Sequence, residues 1–142
     1  MAPQVKISRL CALRSILFLG FFVSASIAAQ PANPPAFAYL LPCSGCHIED
    51  GSGDPPEVPD LREDLDILLQ TAQGRAYLLQ VPGITDSPIN AEEMAGLMNW
   101  MITKFYPGLD NFQSFTAEEV LAGRRNRLDN PLAYRTRLID EP

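Results

Sequence analysis

Histidine, tryptophan and cysteine are scarce in this sequence, and their scarcity limits its chemistry. The 142 residues include one histidine, one tryptophan and three cysteines. A second histidine, whether as a metal ligand or as an acid–base group, is therefore excluded. Basic residues are also few, 11 against 17 acidic ones, and the net charge is −6. Nucleic acid is not an expected partner of so acidic a chain.

The N-terminal apolar run is too short for an ordinary membrane span. It covers residues 16–29, 14 in all, whereas a spanning helix needs about 20. Three basic residues and no acidic one precede it, and Ser26-Ile27-Ala28 has the small-x-small pattern of a cleavage site. We expect residues 1–28 to be a signal peptide, with a retained membrane anchor as the alternative. Cys11 precedes the run, a position that does not suit lipidation.

Without that segment the chain is more acidic still. Eight basic residues would remain against 17 acidic ones, and five arginines of residues 121–142 supply most of the positive charge. A partner with a basic docking face would suit the acidic body. The acidity could equally serve only to keep an exported protein in solution.

Apolar spacing predicts helices, and no useful length alternates as a strand would. Residues 61–69 place their leucines on one helical face. The clearest helix covers 91–105, with Asn90 as N-cap and Glu93 as its capping-box partner. Further helices are predicted over 37–47 with a break at Pro42, over 75–80, and from Thr116 to about Arg125, while 29–34, 49–60 and 81–89 should be linker or loop. The fold class is all-α.

Residues 43–47, Cys-Ser-Gly-Cys-His, bring two thiols and the imidazole together. Cys43 and Cys46 are one helical turn apart and therefore face the same side, and His47 follows directly. Two sulfurs at this spacing can add across two vinyl groups of a haem while the imidazole reaches the iron. This is the pattern of covalent c-type haem attachment, which takes place outside the cytoplasm and agrees with an export signal. We expect one haem c per chain, supplying much of the core.

Three other interpretations of the two cysteines stay open. A thioredoxin-like redox pair needs a βαβ context, but the surroundings here are helical and broken by prolines. A structural disulfide within one turn would not need the adjacent histidine. A tetrahedral zinc site takes four ligands, and only two thiols and one imidazole remain after residue 28.

The order of the elements resembles a class I cytochrome c domain over residues 35–107. The pieces that carry the resemblance are CSGCHIEDGSG, VPDL and EEMAGLMNWM. The resemblance implies a small helical domain around the haem. It also implies that Trp100 lies where the first and last helices of that domain cross, opposite Phe37 and Leu40.

The same resemblance implies further roles at the haem. Pro59 of VPDL matches the proline whose carbonyl accepts a hydrogen bond from the proximal imidazole, although it could also be an ordinary loop proline. Arg75, Tyr77 and Trp100 are candidates to bond the haem propionates. Each of these three could instead be a plain surface or core residue.

The sequence departs from that family at the sixth iron ligand, which is usually a methionine. Val81 stands at the corresponding position and cannot bind iron. Met101 and Met98 are the candidate replacements, although with Met94 they form a helical stripe of a kind that often only packs a core. An open distal position is the main alternative, and Lys104 or the N-terminal amine are others.

Residues 108–142 exceed what such a domain needs. We expect them to hold one helix and to pack Val120, Leu121 and Leu128 onto the haem domain as a C-terminal extension. A docking element for a partner or an anionic surface is the alternative.

The leading functional hypothesis is an exported single-electron carrier, not an enzyme, in the periplasm or anchored to the inner membrane facing it. Its partners would be redox proteins, such as a periplasmic dehydrogenase or a membrane oxidase complex. The second is a five-coordinate haem protein, either a gas-binding sensor or an accessory subunit of a larger redox enzyme. The third is a thiol redox protein without haem.

Overall fold

The helices found confirm the all-α class. A computed structural model describes residues 34–109 and 111–140, all within one compact unit, Pro31–Pro142. Apart from an isolated bridge between Asp54 and Val58, the regular structure described is helical: α1 Pro35–Leu40, α2 Ser44–His47, α3 Leu65–Leu69, α4 Ala72–Gln80, α5 Pro82–Thr85, α6 Ala91–Phe105, α7 Ala117–Arg124 and α8 Pro131–Asp140.

The predicted leader lies outside the described part of the chain. Residues 1–28, predicted to be a signal peptide or a membrane anchor, and linker residues 29–33 are not among the described residues. Within the described part, no helix has both the length and the apolar character to cross a membrane.

Helix α6 contributes six buried residues to the core, Met94, Ala95, Leu97, Met98, Met101 and Ile102. Its bounds match the predicted 91–105, and the Asn90 side chain accepts a hydrogen bond from the Glu93 amide at 2.9 Å. The Glu93 carboxylate bonds the side-chain amide of Asn90 at 2.9 Å, where the expected capping box would have used the backbone N–H. Met94 and Leu97 of α6 have no exposed surface.

Helix α1 packs on α6 through a different face from the one expected. The Tyr39 ring, 1% exposed, lies 5.7 Å from the Trp100 ring, centroid to centroid. Phe37 and Leu40 are 48% and 44% exposed, so the expectation that they lie opposite Trp100 is wrong. At 100° per residue, the face that buries Ala38 and Tyr39 points away from the face of Phe37 and Leu40.

The middle of the chain differs from the prediction at its helix boundaries. The helix expected from residue 61 begins only at Leu65, because Asp64 has a φ of 64° and cannot continue a right-handed helix. Helix α4 begins three residues earlier than predicted, where the Thr71 hydroxyl accepts a hydrogen bond from the Gly74 amide. The loop predicted over 81–89 contains α5, which Pro82 starts with its preset φ.

The C-terminal extension holds two helices where the sequence predicted one. Helix α7 has the expected capping box between Thr116 and Glu119. Val120 is fully buried, whereas Leu121 is 48% exposed, so the expectation that Leu121 packs inward is wrong. Helix α8 was not predicted; the Asn130 side chain caps it by accepting a hydrogen bond from the Ala133 amide at 3.0 Å.

Side chains that bond to backbone fasten the extension to the core. The Asn99 amide side chain of α6 donates to the Phe115 carbonyl at 3.1 Å and accepts from the Phe115 N–H at 2.7 Å. The Arg124 guanidinium of α7 donates to the Ile89 carbonyl at 2.7 Å. These bonds supply partners to polar groups that would otherwise lie at the interface unpaired.

We predict that Gly123→Ala weakens the contact between α7 and α4. A Cβ at Gly123 would lie 2.5 Å from the Leu79 Cβ and 2.5 Å from its carbonyl oxygen. Overpacking of this kind costs about 1–3 kcal/mol, which denaturant unfolding would measure. Gly96→Ala is the matched control, because a Cβ there meets nothing within 4 Å and should stabilise α6 by about 0.5–1 kcal/mol. Equal effects of the two variants would contradict the packing described.

We also predict a pH-dependent cost for Glu119→Gln. The Arg75 guanidinium, 2.7 Å from the Glu119 carboxylate, is the first cause that holds the Glu119 pKa below its usual 4.5. A lowered pKa means that the pair stabilises the fold fully above about pH 4.5 and loses this contribution as the pH falls through the folded-state pKa. Near neutral pH the variant should lose about 1 kcal/mol of unfolding free energy.

The exposed neighbour Glu118, in the same first turn of α7, provides the control. Glu118→Gln removes the same charge from the same turn without breaking the ion pair, so at neutral pH it should cost less than Glu119→Gln. A Glu119→Gln penalty that stays constant between pH 7 and pH 3 would show that the ion pair is not its source.

Candidate functional site

The C-x-x-C-H motif forms a single helical turn that follows α1. The His47 amide donates to the Cys43 carbonyl at 2.9 Å, and the Cys46 amide donates to the same carbonyl at 3.2 Å. The Cys43 amide in turn donates to the Tyr39 carbonyl at 3.0 Å. The two sulfurs and the imidazole are therefore carried by one short, internally bonded piece of backbone, and no disulfide joins the cysteines.

A buried tyrosine holds the end of this turn. The Tyr39 hydroxyl donates to the Ile48 carbonyl at 2.6 Å, just where the backbone turns to a φ of 55°. Burial is the first cause that raises the Tyr39 pKa, to about 12, and the neighbouring Cys43 and acidic groups add to it. The hydroxyl therefore stays protonated and acts as a donor at any ordinary pH.

The imidazole of His47 is oriented by one backbone carbonyl. Its Nδ1 lies 3.0 Å from the Pro59 oxygen. Because a carbonyl can only accept, Nδ1 carries the proton of the neutral ring, and the lone pair is on Nε2. Burial lowers the His47 pKa below its usual 6.5, opposed by the Pro59 bond and Asp60, so the ring is neutral near pH 7 and Nε2 can serve as a metal ligand.

The loop that carries Pro59 is folded back onto the motif. The Gly53 amide donates to the His47 carbonyl at 3.3 Å, and the Leu61 amide donates to the Gly51 carbonyl at 2.8 Å. Gly51 has a φ of 86°, and a Cβ there would lie 2.8 Å from the Phe105 ring. Glycine is therefore required where the loop turns against α6.

Two adjoining cavities open on the motif. The larger measures about 310 Å³ and the smaller about 150 Å³. They share seven wall residues, Cys46, His47, Leu61, Leu65, Leu78, Val81 and Gly83. Ligand pockets in proteins measure about 300–1,000 Å³ and are mostly apolar with a few polar groups, and these walls have that character.

The methionines divide between the cavity and the core. Met98 and Met101 line the smaller cavity together with Cys43 and His47, whereas Met94 lines neither cavity. Val81 belongs to the walls of both. Lys104 lines neither, and its ammonium lies 4.9 Å from the Trp100 ring centroid. The N-terminal amine lies outside the described residues.

Of the other predicted site residues, the structure brings Pro59 and Tyr77 to the larger cavity and leaves Arg75 and Trp100 outside both. The Arg75 guanidinium pairs with Glu119, donates to the carbonyls of 113 and 114, and lies 3.9 Å from the Phe115 ring centroid. Trp100 packs on Tyr39.

Sequence reasoning missed the part of the cavity wall that α8 supplies. Pro131, Leu132 and Arg135 of this helix line the larger cavity. Residues 131, 134, 135, 138 and 139 are the less exposed positions of α8. They follow the i, i+3, i+4, i+7, i+8 spacing of a helical face. Together with Asn130 as a possible N-cap and Pro131 as a possible first residue, this spacing could have predicted α8 from the sequence.

Among the described residues, no group of three or more histidine, cysteine or acidic side chains could hold a metal ion. Cys43 is also unlike a redox-active thiol, because burial raises its pKa to about 11, whereas reactive cysteines have lowered pKa values.

We predict that Tyr39→Phe destabilises the turn that carries the motif. The change leaves the ring and removes the donor to the Ile48 carbonyl, which should lower the unfolding free energy by about 1 kcal/mol. Tyr134→Phe is the control, since its ring stacks on Tyr77 and its hydroxyl makes no hydrogen bond to the described residues. If both variants unfold alike, the Tyr39 bond contributes nothing measurable.

No family model, curated protein or solved structure matches this chain. Functional inference therefore depends on the chemistry of Cys43, Cys46 and His47 and on the cavity walls around them.

Proposed function

We propose that this chain is an exported c-type haem protein that carries single electrons. The observation that carries the proposal is the arrangement of His47, whose Nδ1 is bonded to the Pro59 carbonyl and whose ring lines the cavities. A histidine that binds a metal usually donates its other ring N–H in this way. Cys43 and Cys46 lie within the same turn, at the walls of the same space.

The residues present fit a covalently attached haem. Each thiol would add across one vinyl group, with the sulfur bonded to one carbon and the hydrogen to the other, so that no oxidant or reductant is needed. Apolar side chains predominate in the walls, and they would keep water from the bound group. When bound, haem supplies an iron that changes between two oxidation states.

The exposure of Cys46 favours an electron carrier over an enzyme with a closed active site. Cys46 is exposed and also lines both cavities, so a group attached to it would lie close to the surface. The neighbouring Leu41 and Ile48 are 70% and 51% exposed. A small apolar surface of this kind suits the weak, short-lived contacts of redox partners. We propose that the redox partner is a periplasmic dehydrogenase or a membrane oxidase complex. The chain itself would lie in the periplasm or be anchored to the inner membrane facing it.

Met98 or Met101 would complete the iron coordination. Both are buried and line the smaller cavity with His47. A methionine–histidine pair raises the reduction potential, which suits an electron carrier. Val81 in the walls of both cavities favours the second candidate function, a five-coordinate haem protein that binds a gas or serves a larger redox enzyme.

The test is to express the full chain with haem-attachment machinery and record oxidised and reduced spectra with and without carbon monoxide. We expect haem that stays attached after denaturation and is lost in Cys43→Ser with Cys46→Ser. A reduced spectrum indifferent to carbon monoxide, with a sulfur-to-iron band when oxidised, supports the carrier. A high-spin spectrum that shifts with carbon monoxide supports the second candidate, and the absence of attached haem overturns both.

Three leucine substitutions identify the sulfur ligand. Met98→Leu or Met101→Leu should remove the sulfur-to-iron band, whichever supplies the ligand. Met94→Leu is the matched control, since Met94 lies on the same helix but lines neither cavity, and it should leave the band unchanged. A band that survives in all three variants would contradict ligation by this helix.

A further inference from the structure

Helix α8 is held over the larger cavity by two specific contacts. The Tyr134 ring stacks on the Tyr77 ring of α4, with centroids 6.0 Å apart and planes 5° from parallel. The Arg135 guanidinium donates to the Asp64 carboxylate at 2.8 Å. The C-terminal extension thus contributes to the wall of a cavity that Cys46 and His47 of the C-x-x-C-H turn also line.

Arg135 is the one lysine or arginine that lines either cavity within the described residues. Its side chain is 19% exposed. A guanidinium has five N–H donors, and among the described contacts Arg135 uses one of its nitrogens, toward Asp64. The other N–H groups of Arg135 make no hydrogen bond to a described residue, and the residue lines the larger cavity.

The other charged residues that line this cavity are acidic, so Arg135 is the one that could attract a negatively charged group. Glu57, Asp60 and Glu63 also line the larger cavity, and Asp60 pairs with Arg62 at 2.5 Å. These carboxylates would repel a ligand that brings negative charge, and so would Asp64 beside Arg135. A negatively charged group is therefore best placed at Arg135.

The Tyr77 hydroxyl is a second hydrogen-bond donor on a residue that lines the larger cavity. Tyr77 is 4% exposed and lines the larger cavity, yet its hydroxyl makes no hydrogen bond to any residue that the structure describes. The Tyr77 hydroxyl oxygen is not fully enclosed by protein, and the residue lines the larger cavity, so a group held in that cavity could reach it. Burial raises its pKa, which Arg135 partly offsets, and the hydroxyl stays a donor.

We propose that Arg135 of α8, together with the Tyr77 hydroxyl, binds a carboxylate of the group held in the cavity, so that the C-terminal extension is part of the cofactor site. Under the proposed function, on which this inference rests, that group is a haem and the carboxylate is one of its propionates. A guanidinium and a phenol hydroxyl are suitable donors to a carboxylate, which accepts several hydrogen bonds.

The test compares midpoint reduction potentials of the haem-loaded protein. A cation beside a haem carboxylate favours the reduced iron, which carries one positive charge fewer. Arg135→Gln should therefore shift the potential downward, and Arg135→Lys should recover part of the shift. Arg137→Gln is the matched control, because it removes the same charge from the same helix, while Arg137 faces the Tyr134 ring at 5.3 Å and lines neither cavity.

Tyr77→Phe tests the hydroxyl separately. Its potential should also fall, while its unfolding free energy stays near the wild-type value, because no bond to the described protein is lost. If Arg135→Gln does not accumulate, the potentials of Tyr77→Phe and Arg135→Lys still test whether these two residues bind the carboxylate. A wild-type potential in Tyr77→Phe would overturn the role of the hydroxyl.

The outcomes separate this inference from the proposed function. Wild-type protein without attached haem overturns both. Attached haem with equal potentials for Arg135→Gln and Arg137→Gln overturns the role of Arg135 and leaves the electron carrier standing. An Arg135→Lys potential as low as that of Arg135→Gln also overturns it, because the charge would then not be the cause.

Discussion

The hydrogen bond between His47 Nδ1 and the Pro59 carbonyl is the constraint on which the site depends. It selects one tautomer and leaves the lone pair of the ring on Nε2, on a residue that lines both cavities. Two other features make it possible. Tyr39 holds the backbone after the motif, and Gly51 lets the loop turn closely against α6.

Helix α4 connects this site to the rest of the chain. One part of it presents Tyr77 and Leu78 to the cavity, and Leu79 meets α7 so closely at Gly123 that no Cβ fits between them. The C-terminal extension packs on the same helix twice, through α7 and α8. The cavity wall and the extension therefore depend on each other for their positions.

Charged side chains of both signs line the larger cavity. Glu57, Asp60 and Glu63 line the larger cavity, and Arg135 of α8 lines it as well. Apolar side chains beside the motif are left exposed. The larger cavity therefore combines apolar walls with side chains of both charges.

The features that could be predicted from the sequence are those that local interactions control. The all-α class, the bounds of α6 and the capping box of α7 follow from side chains within four residues of one another, and the motif at 43–47 needs only one turn. Other features depend on contacts between distant segments. These are the position of α8, the face of α1 that meets Trp100, and the pairing of Arg75 with Glu119, which keeps Arg75 out of the cavity walls. Arg135 and Tyr77 are 58 positions apart in the numbering, and only the packing of α8 over α4 decides that they share a wall.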